Sequence, residues 1–215
     1  MTPNTNYRRK NRELDVPKQV DLARNVSVSS LEAYCHDALL GAASGLFATV
    51  PMSIYMATGH RLLPWYERYA MPPRQITIKM ARLTGAASRM DKNEQTIATA
   101  AAHFGYGAAM GGLYGIVTGD SKSRTSTTGI AFGLAVWAGS YLGLLPALGI
   151  LRSATDQPMR RNAVMIGAHV VWGAALACVS NRMERNEDEK KYSARDSEPI
   201  NLESKPFTAI RESSR

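Results

Sequence analysis

Lys, Arg, Asp and Glu are absent from four long stretches of the chain. They are the 23 residues between Asp37 and Arg61, the 25 between Glu94 and Asp120, the 27 between Arg124 and Arg152, and the 20 between Arg161 and Arg182. A bilayer core of about 30 Å takes roughly 20 apolar residues in a helix. Each stretch satisfies that length, and the pattern predicts spans at Leu39 to Thr58, Thr96 to Thr118, Gly129 to Leu151 and Ala163 to Ser180. Between the first two, Pro72-Pro73 mark a helix start, followed by Ile76, Met80, Leu83, Ala87 and Met90 at alternating spacings of four and three. With Trp65, Tyr66 and Tyr69 ahead of it and Lys79, Arg82 and Arg89 off the stripe, this segment reads as an amphipathic helix at the membrane interface. An ordinary loop helix packed over the bundle fits the same pattern.

The expected fold is therefore all-α. It is a polytopic membrane domain over 38–182 with four transmembrane helices and an amphipathic interfacial helix in the 59–95 loop. Polar, weakly ordered tails would occupy 1–37 and 183–215. Composition strengthens the membrane reading. Of 17 glycines, all but Gly85 fall inside the charge-free stretches. In water, glycine inside a helix costs roughly 1 kcal/mol relative to alanine. In lipid the backbone must satisfy its own hydrogen bonds, so helix is enforced and glycine becomes a close-packing residue. A soluble bundle with Gly/Ala-rich buried helices is the alternative, but a soluble domain would scatter charge along each helix's wet face. Gly41/Gly45, Gly107/Gly111/Gly115, Gly129/Gly133, Gly139/Gly143 and Gly173 are the expected helix-packing positions. Pro51 and Pro146 fall inside the first and third spans, where neighbouring helices can satisfy the freed carbonyls.

The formal charge of +8 resides in tails and loops. On a membrane protein such tails anchor to anionic headgroups, so lipid is the expected partner, with other membrane proteins or a second copy beside it, and nucleic acid is not. Tyr7-Arg8-Arg9-Lys10-Asn11-Arg12 leads only into more polar sequence, so no cleavable signal is expected. An even number of spans puts both termini on one side, which carries sixteen Lys and Arg against ten opposite and favours cytoplasmic termini. Cys35 and Cys178 fall near that face, where they would stay reduced.

An internal repeat carries the candidate chemistry. Ala102-His103-Phe104-Gly105-Tyr106-Gly107-Ala108-Ala109 matches Ala168-His169-Val170-Val171-Trp172-Gly173-Ala174-Ala175 at both histidines, at the glycine four residues on, and in an aromatic. A duplicated two-helix hairpin accounts for it, with the two copies inserted in the same direction. Both imidazoles then lie roughly 10 to 13 Å inside one membrane face. His103 shares a helix face with Gly107, Gly111 and Gly115, and His169 with Gly173 and Ala177, so both point into the bundle. Three roles stay open for the pair: a protonation-responsive contact, axial ligation of a b-type haem, or a structural hydrogen bond. His36 and His60 flank the first span as interface residues.

No serine-nucleophile motif, phosphate loop, paired acids or metal-spaced Cys/His cluster is present, so neither an enzyme nor a resident cofactor or metal is expected. Acids are absent from the spans, and Ser44, Thr49, Ser53 and Ser140 are few hydroxyls for a solute path. The segments "HFGYGAAMGGLYG", "PPRQITIKMARLTG", "GLAVWAGSYLGLLPALGILR" and "RRNAVMIGAHVVWGAALA" resemble the small bacterial inner-membrane proteins of the YagU type and related uncharacterised families. The resemblance covers about residues 38–182. It implies a multi-spanning inner-membrane protein, with a link to acid tolerance and stress in one branch and no established activity. His103 and His169 match motif positions to which no role is attached.

Overall fold

The computed structural model describes residues 16–68, 70–119 and 123–196, with side chains from residue 30 onward. The outer parts of both tails, Tyr69 of the expected aromatic belt, and residues 120–122 lie outside that set. Among the described residues the chain is helical, with no strand. Its elements are α1 (Val16–Leu62), α2 (Pro72–Leu83), α3 (Lys92–Thr118), α4 (Ser126–Ala138) and α5 (Met159–Asp196). A π-helical segment, Gly139–Leu144, and a last turn, Leu145–Ala147, prolong α4.

Two helices run far beyond their apolar stretches, into the segments that the sequence assigned to the tails. α1 holds 47 residues and α5 holds 38, about 70 Å and 57 Å at 1.5 Å per residue. The reason is cooperative. A span already folded in lipid removes the nucleation cost, and the sequence from Lys18 to Leu40 has neither glycine nor proline to stop propagation. Past Met183 the chain is rich in Glu, Lys and Arg, all good helix formers.

Helix ends follow local chemistry. Asp91 caps α3, accepting from the backbone N–H of Asn93 at 2.7 Å and of Glu94 at 2.8 Å, while Glu94 accepts from the Asp91 N–H at 2.8 Å. Gly149, at φ 63°, ends the α4 extension, so the third apolar helix stops at Ala147 and not at Leu151. Gly85, at φ 71°, lies just beyond α2 and separates it from Ala87 and Met90, which the sequence placed on the same stripe.

Three helices are long and apolar enough to cross a membrane: Ser30–Leu62, Ser126–Ala147 and Met159–Asp196. The Gly/Ala-rich α3 is long enough as well but is not among them. Around the bundle the order is α3, α1, α5, α4, with α1 packed on both α3 and α5, and α3 and α4 only loosely adjacent. Large apolar side chains face outward, including Leu39, Phe47 and Ile54 on α1, Ile97 and Val117 on α3, and Leu142 and Leu148 around α4. Polar Ser44, Thr49, Ser140, His169 and Ser180 are buried. They share the interior with an apolar core that includes Met52, Met56, Tyr114, Trp172 and Leu176, and large apolar side chains on the outer surface as well are what lipid favours.

Glycines set the closest approaches. A Cβ on Gly45 would collide with the Gly107 carbonyl and the Gly111 Cα, and one on Gly41 with the Gly111 carbonyl. Between α4 and α5, a Cβ on Gly129 would strike the Gly173 carbonyl and the Ala177 Cβ, and one on Gly133 the His169 carbonyl. Gly115 packs equally tightly on the Asp37 carbonyl. Gly139 and Gly143 depart from expectation. They face open space in the π segment, because its wider turn rotates the glycine stripe of α4 away from α5.

Candidate functional site: a chamber holding both histidines

Four helices of the bundle and α2 line a partly open cavity of about 290 Å³. α1 contributes Thr49, Met52 and Met56, and α2 contributes Pro73, Ile76 and Thr77. From α3 come Ala102, His103, Tyr106, Gly107 and Met110; from α4 and its extension come Val136, Ser140, Tyr141, Leu144 and Leu145; α5 supplies His169 and Trp172. Ile76 turns inward against the core while Met80 and Leu83 stay exposed, so α2 covers the bundle with one edge and leaves the other free.

Both predicted histidines therefore reach one chamber, from different helices. His169 is buried and stands edge-on to Tyr141, ring centroids 6.1 Å apart. Its Nδ1–H donates to the Met165 carbonyl at 2.8 Å. Because a carbonyl only accepts, that bond fixes the tautomer and leaves Nε2 as an acceptor in the neutral ring. The Nε2 of His103 is buried with no hydrogen-bond partner. Most other polar groups on the lining are satisfied at home. Thr49 donates to the Gly45 carbonyl at 2.7 Å, Thr77 to the Pro73 carbonyl at 2.9 Å, and the Trp172 indole to the Gly45 carbonyl at 3.3 Å. Tyr106 and Ser140 pair across the α3–α4 seam at 2.9 Å.

On its far side His103 borders a second cavity of about 440 Å³ toward the 59–95 loop. Ser53, His60, Arg74, Thr96 and Thr99 stand among the residues of that vestibule, whose surface is mainly apolar. Toward the other end of the bundle the chamber is stopped by Trp172, Phe132 and Tyr114, with neighbouring ring centroids 6.2 and 5.3 Å apart. Of the four hydroxyls singled out in the sequence, Thr49 and Ser140 line the chamber and Ser53 the vestibule. Ser44 instead donates to the Leu40 carbonyl at 2.8 Å and lies 3.5 Å from Met183 Sδ.

Beyond that aromatic stack lies a charged cluster that the sequence reading missed. Arg124, in the short loop before α4, is only 1% exposed. It donates to Glu184 at 3.0 Å, to Asp37 at 2.9 Å, to the Gly119 carbonyl at 2.6 Å and to the Thr118 hydroxyl at 3.2 Å. Asn181 in turn donates to the Arg124 carbonyl at 2.6 Å. Its signal was present: Asp37, Arg124 and Glu184 each lie just outside a charge-free stretch, at the same end of the bundle. Next to it His36 Nε2 hydrogen-bonds Glu187 at 2.8 Å, tying α1 to α5 where both leave the bundle. Cys35 and Cys178 are free and exposed. Among the described residues no group of three or more His, Cys, Asp or Glu could hold a metal ion.

Helical throughout its described part and carrying three apolar helices of membrane-crossing length, the chain has the character of a multi-pass membrane protein. It matches the family described as Protein of unknown function (DUF1440) over residues 57–178, more than half its length, and belongs to that family. The matched region holds both histidines, α2, Tyr106, the π segment and Arg124, but neither acid partner of that arginine. No curated protein and no solved structure matches the chain.

Proposed function

We propose that the chain is an integral membrane protein of four spans, built as two duplicated hairpins, whose bundle responds to pH through His103 and His169. The observation that carries this reading is that both imidazoles, from helices sharing the repeat, open onto one chamber whose lining contains no acid. Duplication is supported by matched packing. Gly45 meets Gly107 and Gly111 as Gly129 meets Gly173 and Ala177, with a histidine four residues before Gly107 and before Gly173. Exposed Ile97, Leu113, Ile116 and Val117 support a lipid-facing α3. The reading places the termini in the cytoplasm of a bacterial inner membrane, the basic tails on anionic headgroups, and the chain in the YagU-type branch with its acid and stress link. It assigns no catalysis.

Protonating either ring brings a charge into an apolar space without a counter-ion, and the second charge would meet the first. The other titratable side chains facing the pair are Tyr106 and Tyr141, with His60 and Arg74 in the vestibule. Stability should therefore be full at the neutral end and fall with acid. The test compares unfolding of wild type and the His103→Ala/His169→Ala variant across about pH 5 to 8. Wild type should lose stability more steeply at the acid end; superimposable profiles overturn the switch. Haem ligation has one supporting feature, the His169 Nδ1–carbonyl bond that orients metal-ligating imidazoles. A chamber of 290 Å³, at the small end of ligand pockets of about 300–1,000 Å³, favours something smaller than a macrocycle, and a missing Soret band after haem-supplied expression would end that alternative.

A further inference from the structure

We propose that the chamber is a binding site for a small hydroxyaromatic molecule, an apolar ring bearing one hydroxyl, taken up from the bilayer. Its walls are thioethers and rings. Met52, Met56 and Met110 give an adaptable surface that makes favourable sulfur–aromatic contacts, and Tyr141 and Trp172 give flat ones.

Hydrogen-bonding capacity selects the rest of the ligand. The His103 Nε2 has no partner, and the His169 Nδ1–H is spent on the Met165 carbonyl, which leaves its Nε2 as an acceptor. The lining has no carboxylate and no Lys or Arg. Such a chamber rejects ions and leaves a purely hydrocarbon guest beside an unsatisfied imidazole, whereas one hydroxyl, which can both donate and accept, completes it.

The architecture of the wall supplies the way in. Ser140, Tyr141 and Leu144 reach the chamber from the π-helical segment, a distortion often found at functional sites. This segment faces α3 across the seam where the two helices pack only loosely. At chamber level the described link across that seam is the Tyr106–Ser140 hydroxyl pair, and Tyr106 is 44% exposed, so it extends from the chamber to the outer surface. That seam offers a ligand dissolved in the hydrocarbon layer a route to the chamber beside that pair.

The inference rests on the membrane-bundle reading but not on titration of the histidines, and its test is run at one pH above the usual imidazole range. The full chain, reconstituted in phosphatidylcholine nanodiscs, is titrated with naphthol and with naphthalene while thermal unfolding is followed. Saturable stabilisation by naphthol is expected, with naphthalene about tenfold weaker for want of one hydrogen bond. The double variant His103→Phe/His169→Phe keeps both rings but removes both imidazole nitrogen pairs and should erase the difference between probes while preserving the naphthalene response. Met110→Trp fills the chamber and should abolish both responses. Equal responses of wild type to the two probes, or none, overturn the proposal without need of a variant. So does a naphthol preference that survives His103→Phe/His169→Phe, or naphthol stabilisation that survives Met110→Trp. Release of the chain from membranes without detergent would instead sink the underlying membrane reading.

Discussion

Replacing Arg124 by leucine tests whether the charged cluster holds the bundle together at the end where α1 enters it and α5 leaves it. The substitution removes three hydrogen bonds to Asp37, Glu184 and the Gly119 carbonyl at 2.6–3.0 Å, and a longer one to Thr118. It also leaves two carboxylates facing one another. Removing one partner of a buried pair costs about 3–5 kcal/mol, because the remaining charge is stranded. Here Asp37 and Glu184 keep 21% and 24% of their side-chain surface and can partly rehydrate, which moves the expectation to the lower end. A loss of about 3 kcal/mol follows, roughly two decades in the folded-to-unfolded ratio. Arg124→Lys should recover only part of it, since an ammonium cannot fork to two carboxylates and a carbonyl at once. Denaturant titration in detergent or bicelles measures the effect, with exposed Arg160→Leu as the control. Combining Arg124→Leu with Glu184→Gln should cost less than the sum of the two single changes. If Arg124→Leu stays within about 0.5 kcal/mol of wild type, as surface changes do, the cluster is not a structural tie and the reasoning fails.

Close glycine packing makes opposite forecasts for positions that look alike in sequence. Gly45→Leu and Gly129→Leu should each lose about 1–3 kcal/mol or more through overpacking, whereas Gly139→Ala and Gly143→Ala, with open space around them, should be neutral or gain up to about 1 kcal/mol. Thermal unfolding separates the two classes, and uniform tolerance would refute the close approach. Four spans predict that cysteines at Ser88 and Thr155 label from one side of the membrane and one at Ser126 from the other, in a Cys35→Ser/Cys178→Ser background treated with an impermeant maleimide. Ser88→Cys and Ser126→Cys labelling from the same side would mean that α3 does not cross.

Much of this architecture was legible from local pattern. Charge-free length, glycine confined to those stretches, and proline at the start of α2 are properties of short windows, and the physics of lipid and of helix ends acts on short windows too. His103 and His169 could be placed on helix faces before any contact was known, because 3.6 residues per turn puts them above Gly107 and Gly173. What the window could not contain was rotation and reach. Arg124 meets partners 60 and 87 positions away, and in one dimension it reads as one more solvated loop cation. Gly139 and Gly143 carry the same spacing as Gly129 and Gly133, yet a π turn directs them away from α5. The chamber itself exists because α3 and α4 stand apart while both are held by the central pair α1 and α5. Such a void depends on how four helices share their closest contacts, and no single helix encodes it.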